Sequence, residues 1–534
     1  MIAVARLRAL AAAGAAALTL AACTSSVATG HGSAVPPSSA SGHSSTGSAS
    51  TPSGPPNEPT QPPASFADCK DRIDVGALGL SSTRAAQLSF YCATISVPLD
   101  YAQPQGTQIQ LQLLKIHSST DTTPIGSLLV NPGGPGGSGL DLALGIIGQI
   151  SDKLLAHFDI IGFDPRGVGQ STPIECLTDQ QKDALNAASP DVLTAAGFAQ
   201  AKAAAKEVAS ACSSKYGAAL AQYDTVQTAR DMDQIRQAVG DKQLNYLGFS
   251  YGTELGAQYL HLFPTTMRVA VLDGAVDPLT DDITSFANQL QGFESAFDQF
   301  AAWCKQQSSC KSLGDPRQAV YSIAAQATKS PIPSSTAGET RKATSSIVYT
   351  GVLSALYSKS EWSSLGTALI DAGHGDSSGL FTLADQYNER YNGHYTNISD
   401  ANTTISCNDS KPGPSDATIK ATAQSWAKRF PMFGLWSAAS LFSCQQWQPQ
   451  RTVPPLPTAP TTPNKVLVIG NLHDPATPYQ GAKDLAKTLG NAEVLTWNGE
   501  GHTSYLQGST CIDNYVDSYL VSATLPPAGE VCPP

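Results

Sequence analysis

Asn245-Tyr246-Leu247-Gly248-Phe249-Ser250-Tyr251-Gly252-Thr253-Glu254-Leu255-Gly256-Ala257-Gln258-Tyr259-Leu260-His261-Leu262-Phe263 is the stretch from which the rest of the chain is read. Residues 245–249 form a short apolar run of strand type. Residues 253–263 carry apolar side chains at helical spacing. Between them lies Gly-x-Ser-x-Gly. A serine on so sharp a strand-to-helix turn takes a strained backbone, and the flanking glycines let strand and helix pass close together. The helix N-terminus beneath it favours developing negative charge. The five-residue pattern alone is weak in a chain with 45 glycines. The strand before it and the helix after it make Ser250 a candidate nucleophile.

Outward from this turn the pattern repeats. Residues 94–98 and 108–116 read as opening strands. Residues 127–130 and 158–163 are short buried-strand runs, 225–239 has helical spacing, and 269–272 is again a strand. Strand–helix alternation predicts an α/β fold with a mostly parallel sheet and helices on both faces. The alternation stops near 280. Residues 281–455 read as largely helical, with Pro- and Ser-rich joints, and strands resume at 465–469 and 493–497. A long helical stretch interrupting a parallel sheet predicts a cap over the carboxyl ends of the strands, where ligands of α/β proteins bind. The expected core is therefore 65–280 plus 456–534.

A serine nucleophile needs a base, and the base an orienting acid. On an elbow of this kind the acid and then the histidine follow the serine in chain order. Asp474 follows the strand at 465–469. His502 follows the strand at 493–497, in Glu500-Gly501-His502-Thr503. His473 is the rival base, but it precedes the loop of the last strand. Glu500 is the rival acid, expected to face solvent. His261 and His394 read as ordinary core or surface residues. The Gly-rich turn Asn131-Pro132-Gly133-Gly134-Pro135-Gly136-Gly137 follows an earlier strand. It matches neither a dinucleotide fingerprint nor a phosphate loop. The amides of Gly134 and Tyr251 are the candidate oxyanion donors. In Asp164-Pro165-Arg166-Gly167 the expectation is structural: a tight turn, with Arg166 pairing to a carboxylate beneath the site.

The termini and cysteines speak of compartment. Arg6 and Arg8 precede a short apolar run ending in Leu20-Ala21-Ala22-Cys23, so 1–22 is expected to be a lipoprotein leader and Cys23 the lipidated residue. Residues 23–64, rich in Ser, Pro, Gly and Ala, are expected to be a flexible tether. The other ten cysteines form no CxxC metal knuckle. Loop-closure reasoning pairs nearest neighbours: 69–92, 176–212, 304–310, 407–444 and 511–532. The 32 basic and 43 acidic residues are dispersed, with a formal charge of −11 and no basic run, which argues against a nucleic-acid partner.

Taken together, these motifs resemble the exported tripeptidyl aminopeptidases and proline-iminopeptidase-like hydrolases of actinobacteria, members of the α/β-hydrolase fold. The resemblance rests on Val97-Pro98-Leu99-Asp100-Tyr101, the turn at 131–136, Phe163-Asp164-Pro165-Arg166-Gly167, the elbow with Thr253, Val271-Leu272-Asp273-Gly274, Asp474-Pro475-Ala476-Thr477-Pro478 and Gly501-His502. Pro132 stands where proline iminopeptidases have His, as in the tripeptidyl branch. The resemblance implies release of short N-terminal units from peptides, with no cofactor or metal. It also implies a carboxylate for the substrate ammonium. Asp409 is the first candidate and Glu254 the second. An esterase or lipase could use the same triad. A transporter's substrate-binding lipoprotein would fit the leader and tether but has no use for the ordered Ser, Asp and His. An inactive surface module of the same fold is disfavoured by the intact triad.

Overall fold

Strands β1 (Ala67–Asp68), β2 (Leu88–Pro98), β3 (Gln108–Ser118), β4 (Gly126–Asn131), β5 (Phe158–Phe163), β6 (Leu244–Phe249), β7 (Met267–Asp273), β8 (Val466–His473), β9 (Ala492–Glu500) and β10 (Val531–Cys532) join in one sheet. Its order is β1-β2-β3-β5-β4-β6-β7-β8-β9-β10. The structure is a computed structural model describing residues 59–122, 124–448 and 465–534. The expected leader, Cys23, the tether up to residue 58 and the cap boundary at 455–456 lie outside the described residues. The first pairings, β1–β2, β2–β3 and β3–β5, are antiparallel, and the rest are parallel. The strand runs expected at 127–130, 158–163, 245–249 and 269–272 all fall in the parallel part. Every residue of β6 is buried, as a strand covered on both faces requires.

The covering helices explain that burial. On one face α1 (Gly139–Ile146) packs against β5 so closely that a Cβ on Gly139 would sit 2.0 Å from the Phe163 carbonyl oxygen. Later in the chain Thr510–Ser522 lies on the same face, with Ile512 and Val516 in one apolar cluster with Leu128, Val130 and Ile160. The opposite face carries Thr225–Ala238, Tyr251–Leu262 and Gln480–Leu489, whose Met232, Leu255 and Leu485 share a second cluster.

A third cluster is separate from the sheet and belongs to the helical stretch after β7. One expectation is incomplete here. Helices Asp179–Ala187 and Ala195–Tyr216, which precede β6, pack into the same body. Phe198 meets Phe442 edge-on with ring centroids 4.8 Å apart, Lys182 pairs with Asp400 at 2.8 Å and Lys202 with Asp416 at 2.7 Å. Segments before β6 and after β7 thus pack into one helical body. The Ala-rich sequence at 195–216 carries too few large apolar side chains for its packing partner to be read from periodicity.

The five cysteine pairs expected from loop closure are the five disulfides of the structure. The end of the expected tether differs: Gln61 N donates to Gln237 Oε1 at 3.1 Å and Ala64 N to the Ala238 carbonyl at 2.8 Å. A segment without large side chains can still be held by its backbone donors. Among the described residues no helix is long and apolar enough to cross a membrane.

Candidate active site

Ser250 caps helix α2 (Tyr251–Leu262) at the end of β6, with φ +54° and ψ −127°. The elbow is locked from every side. A Cβ on Gly248 would come within 2.5 Å of the Gly252 carbonyl oxygen, and one on Gly252 within 2.9 Å of Asn131 Oδ1. Ser250 N donates to the Asp273 carbonyl at 2.8 Å. The Ser250 carbonyl accepts from Thr253 Oγ1 at 2.7 Å. This is why the residues two positions before and after Ser250 are glycine and why the serine stays in an unusual conformation.

The structure brings Asp474 and His502 together. His502 Nδ1 lies 2.9 and 3.0 Å from the two carboxylate oxygens of Asp474. The carboxylate is itself fixed by Ala476 N at 2.9 Å, Thr477 N at 2.8 Å, Thr477 Oγ1 at 3.0 Å and Thr503 N at 3.0 Å. Thr477 Oγ1 also lies 3.3 Å from Nδ1, but it donates its hydrogen to Asp474, so Nδ1 faces acceptors and carries the hydrogen, which leaves Nε2 as the basic nitrogen. That Nε2 is buried and makes no hydrogen bond. The cap also holds the histidine loop: His502 N donates to the Tyr357 carbonyl at 2.7 Å, and the Tyr357 ring meets the imidazole edge-on at 5.5 Å.

A further carboxylate, Asp273, stands at the end of β7; sequence marked it as part of a motif but gave it no role. Its Oδ2 accepts from Ser504 N at 3.0 Å and Tyr505 N at 2.7 Å, just beyond His502. Burial pushes this carboxyl up to about 7, aided by repulsion from Asp474 and opposed by the two amides and His502. The signal was a charged residue ending an apolar strand, before Gly274 with its φ of +69°. Thr477, Tyr357 and Thr225 were also missed. A threonine or tyrosine carries no signal until the fold places it beside the acid.

The Gly-rich turn takes left-handed backbone at Gly133, Gly134 and Gly136, with φ of +91°, +112° and +102°. A Cβ on Gly133 would meet Tyr251 N at 2.9 Å, so the turn lies directly against the elbow. Gly134, Ser250 and Tyr251 line a cavity of about 460 Å³. Its roof is helix α3 (Asp282–Cys304), which supplies Phe286, Gln289 and Gly292. Gln289 Nε2 donates to the Ala476 carbonyl at 3.0 Å.

The two carboxylates weighed for an ammonium separate. Glu254 lines the cavity and is 7% exposed. Asp409 lies behind Tyr251: its Oδ1 accepts from Thr225 N at 3.0 Å and its Oδ2 from Thr225 Oγ1 at 2.6 Å. Burial, then repulsion from Asp224 and Glu254, raises its carboxyl well above the usual range. Thr225 thus engages both oxygens of Asp409, whereas Glu254 stands in the cavity wall.

The secondary readings also resolve. Arg166 is wholly buried and grips Asp231 through Nε at 2.7 Å and Nη2 at 2.6 Å, the structural pair expected of it. Burial raises Asp164 to about 6, although Ser138 Oγ donates to it at 2.5 Å. His473 Nδ1 faces the Gln299 side-chain amide at 3.1 Å. Glu500, expected in solvent, is half-buried beside His473, because its strand pairs with the end of β8. Among the described residues His117, Asp121 and Asp159 are grouped closely enough for a metal. They sit at the opposite end of the parallel strands from Ser250, since Asp159 is near the start of β5.

A family model described as alpha/beta hydrolase fold matches residues 126–509. The serine protease Hip1 of Mycobacterium tuberculosis (strain ATCC 25618 / H37Rv) is 37% identical over 459 residues, covering 83% of this chain and 87% of the relative. A protein of the same strain named carboxylesterase B is 38% identical over 497 residues, covering 91% and 93%. The tripeptidyl aminopeptidase of Streptomyces lividans is 32% identical over 457 residues, covering 83% of each chain.

Proposed function

The chain belongs to the α/β-hydrolase family and is a serine hydrolase, and from that premise we propose that it is an exported aminopeptidase releasing short N-terminal units, tripeptides foremost, from peptides. Ser250 is the nucleophile, His502 the general base and acid, and Asp474 the group that orients and stabilises the imidazolium. Ser250 attacks the scissile carbonyl while His502 Nε2 takes its proton. The amides of Gly134 and Tyr251 hold the oxyanion. His502 then protonates the leaving amine, and water, activated by the same nitrogen, releases the acyl group. No cofactor enters these steps.

One observation carries the aminopeptidase reading: Glu254 stands in the wall of the cavity that Ser250 lines, under a cap. A buried carboxylate near the nucleophile suits a free ammonium, and the distance between them limits how many residues fit before the scissile bond. The relatives named Hip1 and tripeptidyl aminopeptidase support peptide substrates. Five disulfides support an oxidising compartment. Leu20-Ala21-Ala22-Cys23 supports a lipid anchor on the outer face of the membrane. The relative named carboxylesterase B supports a second reading, ester hydrolysis by the same residues.

A matched substrate set separates these readings: a tripeptide amide with a free N-terminus, its N-acetylated twin, the one- and two-residue analogues and a short-chain ester. The expected result is cleavage of the free tripeptide, little of the acetylated twin, and none with Ser250→Ala. Turnover of the ester alone would remove the peptidase reading and leave the esterase.

A further inference from the structure

Helix α4 (Ile398–Asp409) belongs to the cap, yet its polar side chains reach into the core. Asn402, fully buried, donates from Nδ2 to the Pro135 carbonyl at 2.9 Å, inside the Gly-rich turn. The helix backbone lies against the same turn: a Cβ on Gly136 would meet the Ile398 carbonyl oxygen at 2.8 Å and Asn402 N at 3.1 Å. At the other end Asp409 holds Thr225, and Thr225 Oγ1 hydrogen-bonds the Tyr251 hydroxyl. One helix thus contacts the turn of Gly134 directly and reaches the residue after Ser250 through Thr225.

The helix is itself firmly seated. Asn397 Nδ2 donates to the Gly167 and Ile174 carbonyls at 2.7 and 2.8 Å. Asn408 Nδ2 donates to the Leu220 and Tyr223 carbonyls at 2.7 and 2.9 Å. Cys407 is bonded to Cys444. Each of these buried amide nitrogens is satisfied, while Asn402 Oδ1 is buried without a hydrogen-bond partner, a cost that the contact with Pro135 helps to offset. A turn with three glycines in left-handed backbone has little stiffness of its own and needs an external hold.

We propose that helix α4 is the strut that sets the oxyanion hole, with Asn402 and Asp409 as positioning residues acting through Pro135 and through Thr225–Tyr251. The inference rests on the reading of Gly134 and Tyr251 as oxyanion donors. It assigns Asp409 to the transition state rather than to the substrate amine.

The test is steady-state kinetics of Asn402→Leu, Asp409→Asn and Thr225→Val in the full chain, with a peptide aldehyde that forms a tetrahedral adduct on serine and a ground-state peptide ligand as probes. Loss of a whole oxyanion donor costs about 100- to 1000-fold in kcat, so a displaced one should cost about 10- to 100-fold. The expected result is that fall in kcat, KM within about threefold, aldehyde affinity weakened in parallel and ground-state affinity unchanged. Thr225→Ser should restore most of the activity. If Asp409→Asn raises KM for free-amine substrates and spares kcat, Asp409 binds the amine and the proposal falls. Unchanged kcat in Thr225→Val, which deletes one hydroxyl, overturns it even if the other variants do not fold. Full activity in Ser250→Ala would instead sink the underlying site assignment.

Discussion

Asp474 accepts four protein donors besides His502, so its orientation survives only as long as its charge and shape do. Asp474→Asn is expected to keep the fold and lower kcat about 10⁴-fold, because an amide presents the wrong partner to Nδ1. Stopped assays on the free-amine tripeptide check this, and a loss below about tenfold would remove Asp474 from the mechanism. Glu254→Gln is expected to raise KM for free-amine substrates about tenfold while leaving the ester rate alone. Equal effects on both substrates would argue against an ammonium subsite. Asp273 makes a prediction about pH. Its native value of about 7 lies above the ordinary 3.8, so between them the folded chain holds a proton that the unfolded chain has released. Its stabilising contribution is full below the lower value and is lost as pH rises through the upper one. Urea midpoints measured from acid to neutral pH should fall with a steeper slope in the natural protein than in Asp273→Asn. Parallel slopes would show that Asp273 does not titrate there.

At the scale of elements, the roof helix α3 is seated by a missing side chain. A Cβ on Gly292 would come within 2.4 Å of the Pro475 carbonyl oxygen, next to Asp474. Gly292→Ala should therefore tilt the helix off the acid's turn. The expected cost is about 1–3 kcal/mol of stability, as for other overpacked contacts, together with a fall in kcat/KM. Thermal unfolding and kinetics on one preparation check both, and an unchanged kcat/KM would mean that the roof does not position Asp474. Strand β6 and helix α2 were legible because each has a strong period and sits in unbroken chain order. Helix 195–216 and its membership of the cap were not read from sequence, since its large apolar side chains are few and its partner Phe442 is more than 200 residues from Phe198.

For the whole molecule, the disulfides and the proposed leader make separate predictions. The bridges 69–92 and 511–532 close loops within the sheet domain, and 304–310 closes one within the cap. The bridge 407–444 ties helix α4 to the end of the cap, beside the buried Trp447. Cys407→Ser with Cys444→Ser is expected to lower stability by about 2–4 kcal/mol. It should also lower kcat if α4 braces the donors. Denaturation midpoints and turnover of the double variant check the pair, and intact kcat with lowered stability would confine the bridge to a stabilising role. Cys23→Ala is expected to move the protein from the membrane to the soluble fraction, with loss of the acyl mass from the N-terminal peptide. Retention on the membrane would overturn the anchor.

The division between what was readable and what was not follows the range of the interactions. The placement of Ser250, its glycines, Asp474 and His502 at strand ends was readable, because the local pattern of strand, turn and helix, with the order of the chain, is enough to predict it. The pairing of cysteines was readable because each partner is the next one along. The separation of Glu254 from Asp409, the capture of Pro135 by Asn402, the clamp of Tyr357 on the His502 loop and the raised carboxyl of Asp273 were not. Each depends on burial and on contacts between segments distant in sequence, where hydrogen-bond geometry and desolvation are properties of packing, and packing exists only once the cap has closed on the sheet.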